Sequence, residues 1–295
     1  IVEIQALGNE TDARAAMKAV AKELKRIDKK FGYHASLITD LNTSHKVKDK
    51  ELYNLIQYGI EIHRISGGAF SLALRPILDA WGFSGTHPYH LPSDEEFNKW
   101  EISKNDKGIH LLDDNESVYT EEGVGIDVGG IAKGYGVDRA ASIMTNMGVD
   151  TGLINAGGDI MAFGEHTWQI GIKNPRGPGV VAIIPVQNKA VATSGDYERF
   201  FINNGKRFCH ILNPQTGLPA RRYMSVTIIG PTCRQADAWA TAVFVMGIDD
   251  TKSMLEERGL EWMVIDLSGK IKASRHLKKY CPDRITPSQQ KDLNP

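Results

Sequence analysis

The spacing of apolar positions divides the chain into a helix-rich first half and a strand-rich second half. An opening strand, IVEIQAL, leads to a helix capped by Thr11, whose apolar side runs Ala16, Val20, Leu24, Ile27 and Phe31 in steps of three or four. A second helix is predicted in KELYNLIQYGIEIHRI, where Leu52, Leu55, Ile56, Tyr58, Ile62 and Ile65 make a broad stripe ended by Gly67 and Gly68. The turn-rich stretch WGFSGTHPYHLPSDEEFNKW reads as a long surface loop. From Gly152 onward the pattern is one of short β-branched runs punctuated by Gly, Asn and Pro: GLINAGGDIMAFG, WQIGIK, VVAIIPV, AVATSG, FCHILN and MSVTIIG. One helix interrupts them, with Ala236, Trp239, Ala240, Val243 and Phe244 at helical spacing; a further helix ends near Gly259, and EWMVID and KIKASR are the last strands. Helices early and strands late predict an α+β fold, early helices packed on a largely antiparallel sheet, rather than alternating βαβ units. The expected division is one domain over residues 1–280 and a loosely ordered tail over 281–295.

A chain of 295 residues can bury a large core as one domain or as two fused halves. Its 35 basic and 36 acidic residues give a formal net charge of −1, which leaves no basic footprint for nucleic acid and favours a small-molecule site. Cys209, Cys233 and Cys281 are too few for a disulfide framework or a zinc site, although one disulfide remains open. No run of 18 apolar residues reads as a membrane span, and the first residues already read as a strand, so localisation is not legible at this end.

Three stretches carry candidate chemistry. In GVGIDVGGIAKGYGVDRAA, paired glycines precede a helix, the kind of strand-to-helix turn that accepts an anion on backbone N–H groups. Asp127 would repel a phosphate there unless a metal ion or Lys133 intervenes, and the spacing gives neither a Rossmann nor a Walker motif. Glycines that only ease helix packing are the structural alternative. In ADAWAT, Asp237 and Thr241 are four apart on one helical face, so a carboxylate and a hydroxyl can both reach a hard cation; a threonine that caps or bonds back to its own helix is the plainer account. In HILNPQTGLPARR, His210 stands near a strand end fixed by the NPQTG turn, where an imidazole can serve as general base or can simply be packed. His87 and His90 lie in a Pro-rich loop without partner ligands.

Taken in order, IDVGGIAKGYGVD, LINAGGDI, ATSGDYERFF, HILNPQTGLPA and ADAWATAVFVMG resemble the ApbE family of flavin transferases over nearly the whole chain, as does GGAFSLALRPILDAWGF. The resemblance implies Mg²⁺-dependent transfer of FMN from FAD to a Thr or Ser of a target flavoprotein, with release of AMP. It implies FAD contacts at His34, Ala69, Phe70, Ser71, Asp127, Lys133 and Leu212, a metal site of Asp237, Thr241 and the Gly130 carbonyl, and His210 as the base. It also implies a bacterial cell-envelope location, periplasmic or lipid-anchored, with any anchor outside the sequence given, and no nucleic-acid partner.

Certain departures qualify the resemblance. The Met-Gly-Thr that precedes the family's first strand is not in this sequence. Ser71 stands where members carry an aspartate on the adenine or ribose side of FAD, and Ala240 replaces an acid found in some members. Two rival functions follow: a metal-dependent FAD pyrophosphatase giving FMN and AMP, with water in place of the acceptor hydroxyl, and a flavin-binding protein without turnover.

Overall fold

The computed structural model describes residues 2–85, 87–103, 106–113 and 116–285. The chain opens with β1 (Val2–Leu7), α1 (Glu10–Phe31), α2 (Leu37–Ser44), β2 (Lys46–Lys48), α3 (Lys50–Ile65), α4 (Arg75–Ala80) and α5 (Asp94–Ser103). It continues through β3 (Ile109–Leu112), β4 (Ser117–Thr120), α6 (Ala132–Asn146), β5 (Thr151–Ala156), β6 (Asp159–Phe163), β7 (Trp168–Lys173) and β8 (Val180–Val186). It closes with β9 (Lys189–Gly195), β10 (Phe200–Asn203), β11 (Lys206–Cys209), β12 (Tyr223–Gly230), α7 (Cys233–Met246), α8 (Ile248–Glu257), β13 (Glu261–Asp266) and β14 (Ile271–Ala273). Among the described residues, those within Ile1–Lys25, Lys133–Glu198 and Arg221–Pro295 form one compact unit, and those within Arg26–Ala132 and Arg199–Ala220 form another.

The first unit is built on a seven-stranded sheet in the order β1-β5-β6-β9-β12-β13-β14. Every neighbouring pair is antiparallel. All eight residues of β12 are buried, which is why YMSVTIIG lacks the apolar–polar alternation of a half-exposed strand. Helix α7 lies on β9 and β12, and α8 lies on β13. Leu153, Ile170, Ile184, Met263 and Ile265 belong to a buried cluster that also takes in Ile285. Residues 281–285, assigned to the tail on sequence grounds, therefore belong to the packed structure: Ile285 is buried, its N–H donates to the Gly269 carbonyl, and Asp283 accepts from the N–H of Ile271. Residues 286–295, the remainder of the expected tail, lie outside the described residues.

The second unit carries α2 to α5, a small sheet in the order β2-β4-β3 and the β10–β11 hairpin. Three expectations from the sequence change here and in α1. Asn9, not Thr11, caps α1, its Oδ1 accepting from the Thr11 N–H at 2.8 Å. A helix absent from the sequence reading, α2, precedes α3; Ser36 caps it by accepting from the Thr39 N–H. The stretch read as a surface loop begins in the core and ends as α5: Trp81 and Phe83 are each 2% exposed, within a cluster that includes Ile77, Trp100 and Leu212. Trp81 and Phe83 are separated by a glycine at φ 76°, a turn that puts both rings inward. Among the described residues, no helix is long and apolar enough to cross a membrane, and all three cysteines are free thiols.

Candidate functional site

In the sheet unit, the start of α6 and the start of α7 are pinned together by side-chain and backbone bonds. Asp138 on α6 accepts the N–H groups of Cys233 and Arg234 at 2.7 and 2.9 Å, satisfying donors that a helix N-terminus leaves open. Gly134 sits so close that a Cβ built on it would fall 2.4 Å from the Cys233 carbonyl oxygen, so only glycine fits without displacement. Its N–H donates to Asp237 Oδ2 at 3.1 Å. Lys133, the residue before it, reaches Asp159 Oδ2 at 2.8 Å and Asp237 Oδ1 at 3.7 Å.

This lysine and two carboxylates form a charged knot in which the carboxylates are buried, Asp159 1% and Asp237 4% exposed, while the lysine side chain is half exposed. Burial raises the Asp159 carboxyl to about 7, the Asp237 charge adds to the rise, and Lys133 opposes it. Partial desolvation of the half-exposed Lys133 works to lower its ammonium, but the charges of Asp237 and Asp159 outweigh it and raise the group above its ordinary value. One turn along α7 from Asp237, the Thr241 hydroxyl lies 3.3 Å from the Ser194 hydroxyl on β9. A buried carboxylate with a hydroxyl one turn away is a donor set for a hard cation, and it needs further oxygens from backbone, water or substrate. Among the described residues, no group of three or more His, Cys, Asp or Glu side chains could hold a metal by itself. Cys233 is no candidate nucleophile, because burial and then the nearby carboxylates push its thiol well above its ordinary value.

In the helical unit, Asp127 is held by its own backbone and by its neighbours. Its N–H donates to the Leu72 carbonyl at 2.8 Å and its Oδ1 accepts from the Gly129 N–H at 2.8 Å. A Cβ on Gly129 would lie 2.9 Å from that same oxygen. The residues before it are fixed by Asn42 of α2, which accepts from the Ile126 N–H at 2.6 Å and donates to the Ile126 carbonyl at 2.9 Å. Tyr33 brings its hydroxyl to Asp127; burial pushes its pKa up, the Asp127 charge pushes it further, and Arg199 pulls against them. The Arg75 and Arg199 guanidinium carbons lie 5.6 and 5.5 Å from the Tyr33 ring centre.

His210 follows directly on β11. Its Nδ1 lies 3.2 Å from the Arg199 carbonyl, and its ring meets that of Phe83 edge-on at 6.4 Å. The NPQTG turn beyond it is fixed as the sequence implies: Asn213 accepts the Gly217 N–H at 2.8 Å on its carbonyl and the Gln215 N–H at 2.8 Å on its side chain. Two tryptophans hold Gly217. Trp81 Nε1 donates to its carbonyl at 2.8 Å, and the Trp100 ring leaves no room for a side chain at φ 66°.

The ApbE family matches residues 1–264. The chain belongs to this family. It is 28% identical over 270 residues to the FAD:protein FMN transferase of Haemophilus influenzae, covering 88% of this chain and 75% of that protein. The Treponema pallidum protein of the same name is 31% identical over 263 residues, 81% of this chain and 72% of its own length. Among solved structures, the ApbE protein of Thermotoga maritima superposes with a TM-score of 0.88 at 36% identity, covering 95% of this chain and 96% of that one. The helices and largely antiparallel sheet are those of an ApbE protein.

Several of the residues singled out by the ApbE resemblance come together, and others are differently placed. Lys133 and Asp237 meet, with Thr241 on the same face of α7, whereas Asp127 and His210 stand in the helical unit described above. Gly130 belongs to that unit too, just before α6, and its conformation is not left-handed. The segment before α6, residues 121–131, is irregular with turns at either end rather than a strand, so the turn that opens α6 is loop-to-helix. His34 is exposed, and its neighbour Tyr33 is the ring drawn into the Asp127 cluster. Ala69, Phe70 and Leu212 are buried, Phe70 and Leu212 at 2% exposure each, so Phe70 and Leu212 have little more than backbone to offer a ligand. Ser71 bonds to Asp106. His90 bonds to the Pro88 carbonyl and to Glu96. The sequence reading missed Asp159, Asn42 and Arg199. Asp159 had a visible signal, a lone carboxylate opening the apolar strand DIMAF after a Gly-Gly turn. Asn42 had none, because its partner Ile126 is 84 residues away.

Proposed function

We propose that this chain is an Mg²⁺-dependent FAD:protein FMN transferase. The reading is supported by the names of its relatives and by one observation above all: a histidine whose Nδ1 faces a carbonyl oxygen, Arg199 O at 3.2 Å, a partner that can only accept. Nδ1 then carries the ring proton and Nε2 the lone pair, the tautomer a general base requires.

In the proposed reaction the hydroxyl oxygen of a target Thr or Ser attacks the FMN-side phosphorus of FAD. The phosphoester bond to the target forms as the anhydride bond to AMP breaks, the hydroxyl proton passes to His210 Nε2, and AMP leaves with the bonding pair. Asp237 and Thr241 would hold Mg²⁺, a role their oxygen donors fit. The ion would supply positive charge to phosphate oxygens as the bond to AMP breaks. Lys133 adds a fixed cation next to Asp237, and Asp159 keeps that lysine in place. Asp127, with its backbone pinned on Leu72, is the fixed acceptor proposed for FAD.

Incubation with FAD, Mg²⁺ and a peptide bearing an acceptor Thr or Ser tests the reading. Flavin-labelled peptide with one AMP per label is expected. AMP without label would make the protein an FAD pyrophosphatase, and bound FAD without AMP would make it a flavin binder.

A further inference from the structure

We propose that Asp106 is a positioning residue for the FAD site, holding from a distant segment the turn at Ser71 and Leu72 to which Asp127 is bonded. The inference rests on the FAD-binding reading above. The contacts from which it is argued lie inside the helical unit. Ser71 is buried, and its hydroxyl faces both oxygens of Asp106, at 2.9 and 2.8 Å. The same hydroxyl accepts from the Ala73 N–H at 3.0 Å, so it has one direction left in which to donate, and that direction is the carboxylate. The Leu72 N–H also donates to Asp106 Oδ1, at 3.3 Å.

These bonds matter because the turn they hold carries Asp127. The Leu72 carbonyl accepts the Asp127 N–H at 2.8 Å, and the Gly125 carbonyl accepts the Arg75 N–H at 3.2 Å, so residues 72–75 and 125–127 are laced together by backbone. Asp106 stands behind that lacing. On the same side, His63 Nδ1 lies 2.9 Å from the Phe70 carbonyl and 3.5 Å from Asp106 Oδ2. The turn is thus fixed at Phe70, Ser71 and Leu72 by two side chains from other segments. Bonds to a carboxylate are roughly twice as strong as neutral ones, which makes Asp106 the dominant anchor.

The arrangement also predicts what an acid at position 71 would do. An aspartate at position 71 would meet Asp106 at hydrogen-bond distance, and two carboxylates that close repel unless they share a proton. Serine and aspartate are complementary across this contact, so exchanging them should preserve it.

The test is a reciprocal exchange in the full chain, with FAD dissociation constants from flavin fluorescence, melting temperatures, and kcat and KM for peptide labelling. Asp106→Asn and Ser71→Asp are each expected to weaken FAD binding about fivefold or more, the effect of about one hydrogen bond, and to raise KM for FAD more than they lower kcat. The doubly substituted Ser71→Asp/Asp106→Ser protein should return to within about twofold of wild type. Ser71→Ala, which removes the hydroxyl without adding charge, should fall between wild type and Ser71→Asp. The proposal is overturned if Asp106→Asn binds FAD as wild type does, or if the exchange binds no better than the worse single variant. A wild-type protein that fails to bind FAD overturns the functional reading and this inference together; a wild type that binds while the exchange fails overturns the inference alone.

Discussion

The Nδ1 of His210 lies 3.2 Å from the carbonyl oxygen of Arg199, and the backbone N–H of His210 donates to that same oxygen at 3.0 Å. The pair continues the register of the β10–β11 hairpin, where Phe200 faces Cys209 one step earlier. The same backbone oxygen thus meets both the main chain and the ring of the histidine, and because a carbonyl can only accept, Nδ1 is the donor in this contact. His210→Ala should keep FAD and Mg²⁺ binding while the labelling rate falls by about 10²- to 10⁴-fold, the range for loss of a general base. The wild-type rate should rise with pH as the imidazole becomes neutral, and the variant's residual rate should lack that limb. Fluorescence titration beside single-turnover labelling from acid to mildly alkaline pH reads both; a loss of FAD binding equal to the loss of rate would make His210 a pocket residue.

Asp237 has two duties that one substitution separates. Its Oδ2 accepts the Gly134 N–H, and its charge faces Lys133. Asp237→Asn retains an oxygen for Gly134 but removes the negative charge a divalent cation needs. We expect a folded protein whose labelling requires far more Mg²⁺, or stops. Wild-type turnover at limiting Mg²⁺ would remove Asp237 from the metal site.

Gly134 tests the contact between the starts of α6 and α7. A methyl group there would lie 2.4 Å from the Cys233 carbonyl, a backbone atom that cannot rotate away. Gly134→Ala should destabilise the protein by about 1–3 kcal/mol despite alanine's better helix propensity. Chemical denaturation measures this; an unchanged or raised stability would mean that the two helices can separate at no cost.

Asp266 provides a pH dependence with a defined sign. Partial burial would raise its carboxyl, but bonds from the Ser268 hydroxyl, the Lys270 N–H and the Ser268 N–H outweigh it, and the folded pKa lies below the ordinary value. Across acid pH the unfolded chain then binds more protons at this group than the folded one does. Its stabilisation is present above the unfolded value of about 3.9 and fades as pH falls through the folded one. Asp266→Asn should cost about 1 kcal/mol at neutral pH, and the gap to wild type should narrow as pH falls below the ordinary carboxylate value. A gap that widens in acid would reverse the sign of the shift.

Local pattern determined most of the secondary structure, because a helix stripe such as Leu52–Leu55–Ile56–Ile62 needs only its own segment to be recognised. It also marked Asp127, Lys133, His210, Asp237 and Thr241, since each sits in a short stretch whose residue types already suit its chemistry. Local pattern failed where partners are remote. The segment from Trp81 looks like surface because Gly and Pro punctuate it, yet its rings enter the core once Gly217 arrives from 136 residues away to accept the Trp81 N–H. Asp159 becomes part of the Lys133 cluster across 26 residues, and Asn42 clamps Ile126 across 84. Position 71 shows the difference most plainly. By sequence it is an isolated serine; in the fold its hydroxyl donates to Asp106, 35 residues on. A side chain's charge is written in its codon, but the field it acts in is set by which segments the folded chain brings within a few ångströms.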